Sequence, residues 1–152
     1  MSLEENKAII RRWIEADNQK DLAVLDELLS ADYFDPSLQV RGLECYKQLL
    51  TSVFKGFPDW HETIENIIAE GDKVWVLEKV TGTHTGELEF LGSTFAPTGK
   101  KFTMTSVCIW RIFDGKVVEK ESEVYDMLDF YKQLGVIEYT EKGKKLFPEN
   151  VT

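Results

Sequence analysis

A chain of 152 residues is long enough to form one domain around a real core without disulfide or metal staples. Its 43% apolar and 30% charged residues exclude a disordered polymer, and a net charge of −9 speaks against nucleic-acid binding. Apolar runs are only a few residues long, and Glu4 and Glu5 stand where an export signal carries bases, so neither export nor a membrane partner is expected.

The remaining composition narrows the field further. The nearest basic cluster is Lys142, Lys144 and Lys145, and it is diluted by Glu141 and Glu149. Cys45 and Cys108 share no metal-type spacing and each reads as a buried free thiol, which suits a cytoplasmic location. Two isolated histidines and two distant cysteines offer no protein-held metal site. Aromatic residues make up 12% of the chain, enough to fill a core and still line an apolar cavity.

Ser2 followed by Glu5 predicts a capping box that opens a first helix, with Ile9, Ile10, Trp13 and Ile14 on one face. Asp21 can cap a second helix whose apolar side is Leu22, Leu25, Leu28 and Leu29. Residues 33–40 read as irregular or briefly extended. After Gly42, Leu43, Tyr46, Leu49, Leu50 and Val53 mark a third helix ending near Gly56. The hydrophobic period then changes to two. Residues 60–68 read as a strand with Trp60, Ile64 and Ile68 on one side. Glu70-Gly71-Asp72 turns into a second strand, Lys73 to His84, where Val74, Val76 and Val80 oppose Trp75 and Leu77.

Residues 85–99 form a loop long enough to bind something. Phe102, Met104, Ser106, Cys108, Trp110 and Ile112 alternate along a third strand, and Asp114-Gly115 is a hairpin turn into a fourth, Lys116 to about Tyr125. A short helix follows, Met127 to Leu134, stopped by Gly135, and residues 136–152 are a polar tail. Helices first and antiparallel strands afterwards predict a single α+β domain, a layer of helices on one sheet. Trp75, Trp110 and their neighbours then offer an apolar patch on the far sheet face, for which a homodimer is the simplest cover.

Several short motifs recur in a set order. They are Phe57-Pro58-Asp59, Ala69-Glu70-Gly71-Asp72, Gly82-Thr83-His84-Thr85-Gly86, Pro97-Thr98-Gly99-Lys100, the run Trp110 to Val118, Tyr125-Asp126, and Gln133-Leu134-Gly135. Together they resemble the SnoaL-like polyketide cyclase family of the NTF2-like superfamily. The resemblance implies a cone: three N-terminal helices inside a curved antiparallel sheet, a short C-terminal helix, and a deep apolar cavity. It also implies a hydrophobic, carbonyl-bearing ligand and a cofactor-free intramolecular aldol cyclisation or isomerisation.

By that resemblance Asp126 matches the family's general acid/base. A carboxylate in an apolar cavity gains proton affinity and can both take a proton from an activated carbon and return one to a carbonyl oxygen. On the residues alone, Asp126 at a strand–helix junction with Asp129 three positions on is equally an N-cap. His84 is a second candidate, either as a proton carrier or as a hydrogen-bonder that fixes a loop. A His84–Asp126 pair would suit a dehydratase or isomerase. Trp13, Tyr33, Phe57, Phe95, Trp110 and Tyr125 are candidate ligand-binding walls, and the Tyr33 and Tyr125 hydroxyls can hold an enolate oxygen.

The chain also departs from the family. Phe34-Asp35-Pro36 stands where many members have a histidine. The polar run Lys120-Glu121-Ser122-Glu123 replaces a tryptophan, and the stretch from Gly115 to Asp126 is one residue longer than usual, which calls for a bulge or a register shift. A non-catalytic ligand carrier or dimerisation module is the alternative function. An epoxide hydrolase is the third, and would need one of Arg11, Arg12, Arg41 or Arg111 between two carboxylates inside the cavity.

Overall fold

The computed structural model describes residues 2–90 and 92–146, so Leu91 of the predicted loop and residues 147–152 of the polar tail lie outside the described residues. Helix α1 (Leu3–Gln19) opens on the expected capping box: the Glu5 amide donates to Ser2 Oγ at 3.2 Å, and the Ser2 amide to Glu5 Oε2 at 2.6 Å. Its stripe of Ile10, Trp13 and Ile14 is buried. The predicted second helix shortens to α2 (Leu25–Leu28), because Leu29 already belongs to a strand, β1 (Leu29–Asp35). Leu29, Tyr33 and Asp35 are buried there, and tertiary pairing with a later strand outweighs the local helical pattern. β2 (Val40–Arg41) pairs back on β1, and α3 (Leu43–Gly56) follows.

Four long strands then meander: β3 (His61–Glu70), β4 (Lys73–Thr83), β7 (Lys101–Phe113) and β8 (Lys116–Tyr125). The predicted loop between β4 and β7 contains a small hairpin, β5 (Leu88–Phe90) with β6 (Ser93–Phe95). Asp114 and Gly115 both take positive φ, 48° and 76°, as a tight hairpin turn requires. α4 (Met127–Gln133) and α5 (Glu141–Leu146) complete the described chain. The main sheet has the order β2-β1-β8-β7-β4-β3. It is antiparallel except where β1 runs parallel to β8, so the sheet is mixed and wider than the four strands legible in the sequence.

Three residues are passed over in the pairing register: Glu65 on β3, and Val118 and Glu121 on β8. Such bulges bend a sheet and reverse which side chains face inward. At Glu65 the reversal corrects the expected β3 pattern. Ile64 packs inward, but beyond the bulge Ile67 and Ala69 face the core and Ile68 is turned out at 60% exposure. On β8, where one extra residue calls for a bulge or a register shift, the pairing passes over two residues, the second being Glu121. It splits the polar run: Glu121 pairs outside with Lys73 at 2.6 Å, while Lys120 and Glu123 line the interior.

Two apolar clusters fill the space between helices and sheet. One joins Ile10, Trp13, Leu25, Tyr33, Val74 and Val76, and the other joins Phe57, Val80, Phe102, Phe130 and Leu134. Trp110 belongs to the first cluster and is buried on the inner face, so it is not part of the outer patch predicted for it. That outer patch is instead Leu77, Val107 and Val124, aligned across three strands, with Ile68 and Trp75 beside them. Cys45 is exposed on α3, contrary to the expected burial, and Cys108 is buried. Among the described residues no helix is long and apolar enough to cross a membrane.

Candidate functional site

Between the two clusters lies a cavity of about 110 Å³. Trp13, Tyr46, Phe57, Trp60, Met104 and Trp110 are among the residues of its apolar wall. Its polar groups are Asp17, Glu62, Glu78, Lys120 and Glu123, contributed by α1, β3, β4 and β8.

Asp17 is 3% exposed and lies one helical turn after Trp13, on the same buried face of α1. Trp13 Nε1 donates to its Oδ2 at 2.9 Å, and its Oδ1 is buried without a partner. Burial pushes the Asp17 carboxyl up to about 7, against the opposing pull of the Trp13 N–H and the Lys120 charge. Its place in the last turn of α1, a turn without basic residues, sets it against the negative end of the helix dipole. Glu62 accepts from Trp60 Nε1 at 2.7 Å. Burial, with Asp17 and Glu78 adding like charge, holds its carboxyl well above the usual range. Asn18 fixes this region, giving Nδ2 to the Glu62 carbonyl at 2.9 Å and taking the Glu62 amide at 2.7 Å.

Glu78 is 4% exposed. Its Oε1 accepts from Ser106 Oγ at 2.8 Å and from Cys108 Sγ at 3.4 Å, and its Oε2 has no partner. Burial raises this carboxyl too, with the Ser106 hydroxyl and Lys120 opposing. Lys120 donates to Glu123 Oε2 at 2.9 Å and lies 3.7 Å from buried Asp35 Oδ2. Burial alone would lower its ammonium, but Glu123 leads a set of acidic groups that outweighs burial and keeps it charged. Ligating atoms of Glu78, Cys108 and Glu123 lie within 4.8 Å of one another, close enough to share a metal ion. The Lys120 ammonium beside them already supplies positive charge.

Of the residues named from sequence, Trp13, Phe57, Trp110 and Tyr125 line the cavity. Burial, with Glu123 adding to it, pushes the Tyr125 hydroxyl up to about 12. Tyr33 stands behind the wall, wholly buried, with its ring edge-on to Trp13 at 5.7 Å and its hydroxyl unpartnered. Phe95 packs on Tyr131 at 6.4 Å outside the lining. The structure brings His84 and Asp126 to neither the cavity wall nor each other's hydrogen bonds. His84 is buried, shares a hydrogen bond between Nδ1 and Thr98 Oγ1 at 3.2 Å, and lies against the Phe57 ring at 5.2 Å. Burial lowers its pKa, which favours the neutral ring. The motif around it docks the loop on the end of α3, and a Cβ on Gly86 would fall 1.8 Å from the Lys55 carbonyl oxygen.

Asp126 is exposed, and its Oδ1 accepts from the Asp129 amide at 2.9 Å as the N-cap of α4. None of the four arginines lines the cavity, and Arg111 pairs with Glu119 at 2.6 Å. The cavity wall therefore lacks the arginine that an epoxide hydrolase reading requires.

The sequence reading passed over Asp17, Glu62, Glu78 and Lys120. A signal for three of them was present: Asp17 falls on the apolar stripe of α1, Glu62 on the Trp60 and Ile64 side of β3, and Glu78 on the Val74-Val76-Val80 face of β4. A charged residue on an inward position is the mark of a polar group that the fold needs inside. Lys120 lies between two bulges of β8, where alternation cannot be read across.

A model of the SnoaL-like polyketide cyclase family matches residues 7–134. Among solved structures, TsrD from Streptomyces laurentii superposes with a TM-score of 0.79 at 24% identity, over 90% of this chain and 99% of that one, a likeness of fold alone. AclR from Streptomyces galilaeus gives a TM-score of 0.76 at 31% identity, over 93% of this chain and 91% of that one. IdmH from Streptomyces antibioticus gives 0.70 at 29% identity, over 86% and 98%. No curated protein matches the sequence. The chain belongs to the SnoaL-like polyketide cyclase family.

Proposed function

We propose that this member of the SnoaL-like polyketide cyclase family binds a hydrophobic, carbonyl-bearing molecule in its cavity and catalyses a proton-transfer reaction on it, an intramolecular aldol cyclisation or isomerisation. The observation that carries the reading is Asp17: a carboxyl on an aromatic cavity wall, poised near 7, with one oxygen held by Trp13 and the other without a partner. A group poised near the working pH is half protonated and serves as both base and acid. Asp17 is the acid/base in this reading and Asp126 a helix cap. The carboxylate takes a proton from the carbon between or beside carbonyls. The resulting enolate carbon attacks a second carbonyl carbon, and the new alkoxide recovers the proton from Asp17. Atoms and electrons balance without a co-reactant. Lys120, charged and in the wall, faces the negative charge that develops on the enolate oxygen.

The test needs no natural substrate. β-Tetralone is an apolar ketone with exchangeable α-hydrogens, and NMR in deuterated buffer follows their loss. The expected result is exchange accelerated over buffer by the wild type and abolished by Asp17→Asn. Tetralone that binds but exchanges at the buffer rate would leave the chain as a ligand carrier, the alternative reading.

A second copy of the chain is the proposed macromolecular partner. Leu77, Val107 and Val124 form a cross-strand apolar row on the outer sheet face, and Val124 is 64% exposed. A self-complementary pairing of that face is the closed way to cover it.

A further inference from the structure

We propose that the ligand of this cavity carries a protonated amine, held as an ammonium between Asp17 and Glu78 and against the surrounding aromatic rings. The inference rests on the reading of the cavity as the ligand site and adds the chemical class of what fills it.

The argument starts from charge. α1 contributes Asp17, β3 Glu62, β4 Glu78 and β8 Glu123, with Asp35 of β1 behind them. Against these acids the wall holds one base, Lys120, and its charge is taken up by Glu123 at 2.9 Å and Asp35 at 3.7 Å. Lys20, at the end of α1, points its ammonium at the Trp60 and Asn18 carbonyls, at 2.5 and 3.3 Å. The neighbours of Glu78 on β7 are neutral donors, Ser106 and Cys108, and α3 presents only the phenol of Tyr46, which burial keeps protonated. Asp17, Glu62 and Glu78 are left without a counter-charge in direct contact.

The second observation concerns hydrogen bonds and is independent of the charge count. Asp17 Oδ1 and Glu78 Oε2 are buried acceptors that find no donor, on residues only 3% and 4% exposed, and both residues line the cavity. Buried acceptors are satisfied in the great majority of proteins, and an exception at a cavity points to a donor that arrives with a ligand. A ketone or ether brings only acceptors, which would serve the unpartnered Trp110 Nε1 but neither carboxylate. An ammonium brings three donors and the missing charge. The walls fit the same group. Trp13 and Trp60 spend their indole N–H groups on Asp17 and Glu62, which fixes both rings beside the acids, and ring faces attract cations. Burial raises the proton affinity of Asp17 and Glu78, so a proton on either carboxyl competes with the amine.

Three probes of one shape separate the possibilities by calorimetry: β-aminotetralin, charged at neutral pH, neutral β-tetralol, and β-tetralone. The amine is expected to bind at least about tenfold tighter than the alcohol. Asp17→Asn and Glu78→Gln should each erase most of that preference with the circular dichroism spectrum intact. Amine affinity should rise between about pH 6 and about pH 8, with proton release seen as a buffer-dependent heat. Equal or tighter binding of alcohol or ketone overturns the inference, as does a preference that survives both substitutions. Tetralone binding and exchange without an amine preference sinks this inference alone. A strong amine preference without tetralone exchange upholds it while sinking the proposed catalysis. Failure of all three probes to bind overturns both.

Discussion

Asp126 and Asp17 both stand at a helix end, and the fold puts them in opposite surroundings. Asp126 is exposed at the N-terminus of α4, where the Asp129 amide meets its carboxylate at 2.9 Å and the helix dipole favours negative charge. Asp17 is buried in the last turn of α1, where the dipole opposes its charge and a tryptophan N–H is the carboxyl's one hydrogen bond among the described residues. The comparison teaches that a motif match locates a residue along the chain but not its solvent. Proton chemistry follows the solvent, because desolvation separates a reactive carboxyl from a structural one.

The sharpest way to break the comparison is to remove each acid in turn. Asp17→Asn should lower tetralone exchange by about 10²–10⁴-fold, the usual worth of a general base. Asp126→Asn should leave exchange within about twofold, since an amide still caps the helix. The reverse ranking in the NMR assay would return the catalytic role to Asp126.

Stability against pH offers a second, large effect. A carboxyl whose folded-state pKa is raised stabilises the fold while it is protonated, and that contribution is lost as pH climbs through the folded value. For Asp17 the window runs from the ordinary value of about 3.9 up to about 7. Asp17→Asn should therefore match the wild type below about pH 4 and exceed it by about 2–4 kcal/mol above about pH 7. Urea unfolding at both pH values reads the difference directly. A variant less stable than wild type at high pH would show that the carboxylate is better solvated than its surroundings suggest.

A third contrast sets the inner sheet face against the outer. Val124→Lys places a charge in the middle of the outer apolar row and should shift a dimer to monomer of about 17.5 kDa by light scattering, with stability changed by less than about 1 kcal/mol. A wild type already monomeric at micromolar concentration would remove the proposed partner. The smallest effect belongs to the cap itself. Asp126→Ala should cost about 0.5–2 kcal/mol by chemical denaturation and Asp126→Asn almost nothing.

Much of this architecture was legible before folding was considered, and for local reasons. The capping box at Ser2 and Glu5, the inward series from Phe102 to Ile112, and the Asp114-Gly115 turn each depend on a few adjacent residues whose geometry admits one solution. Motif order added the cone and its family, and four of six predicted wall residues line the cavity. What the residues alone could not disclose depended on distant partners. Leu29 becomes a strand because β8 lies beside it, and Ile68 turns outward because Glu65 is passed over in pairing with β4. The bulge at Val118 turns Lys120 inward in the same way, and the one at Glu121 brings Glu123 to the same side, which sets the charge of the cavity. Periodicity is a property of one segment and reports which side chains share a face. Which face becomes interior, and which buried acid is left without a partner, is decided when segments far apart in the chain close around the same volume.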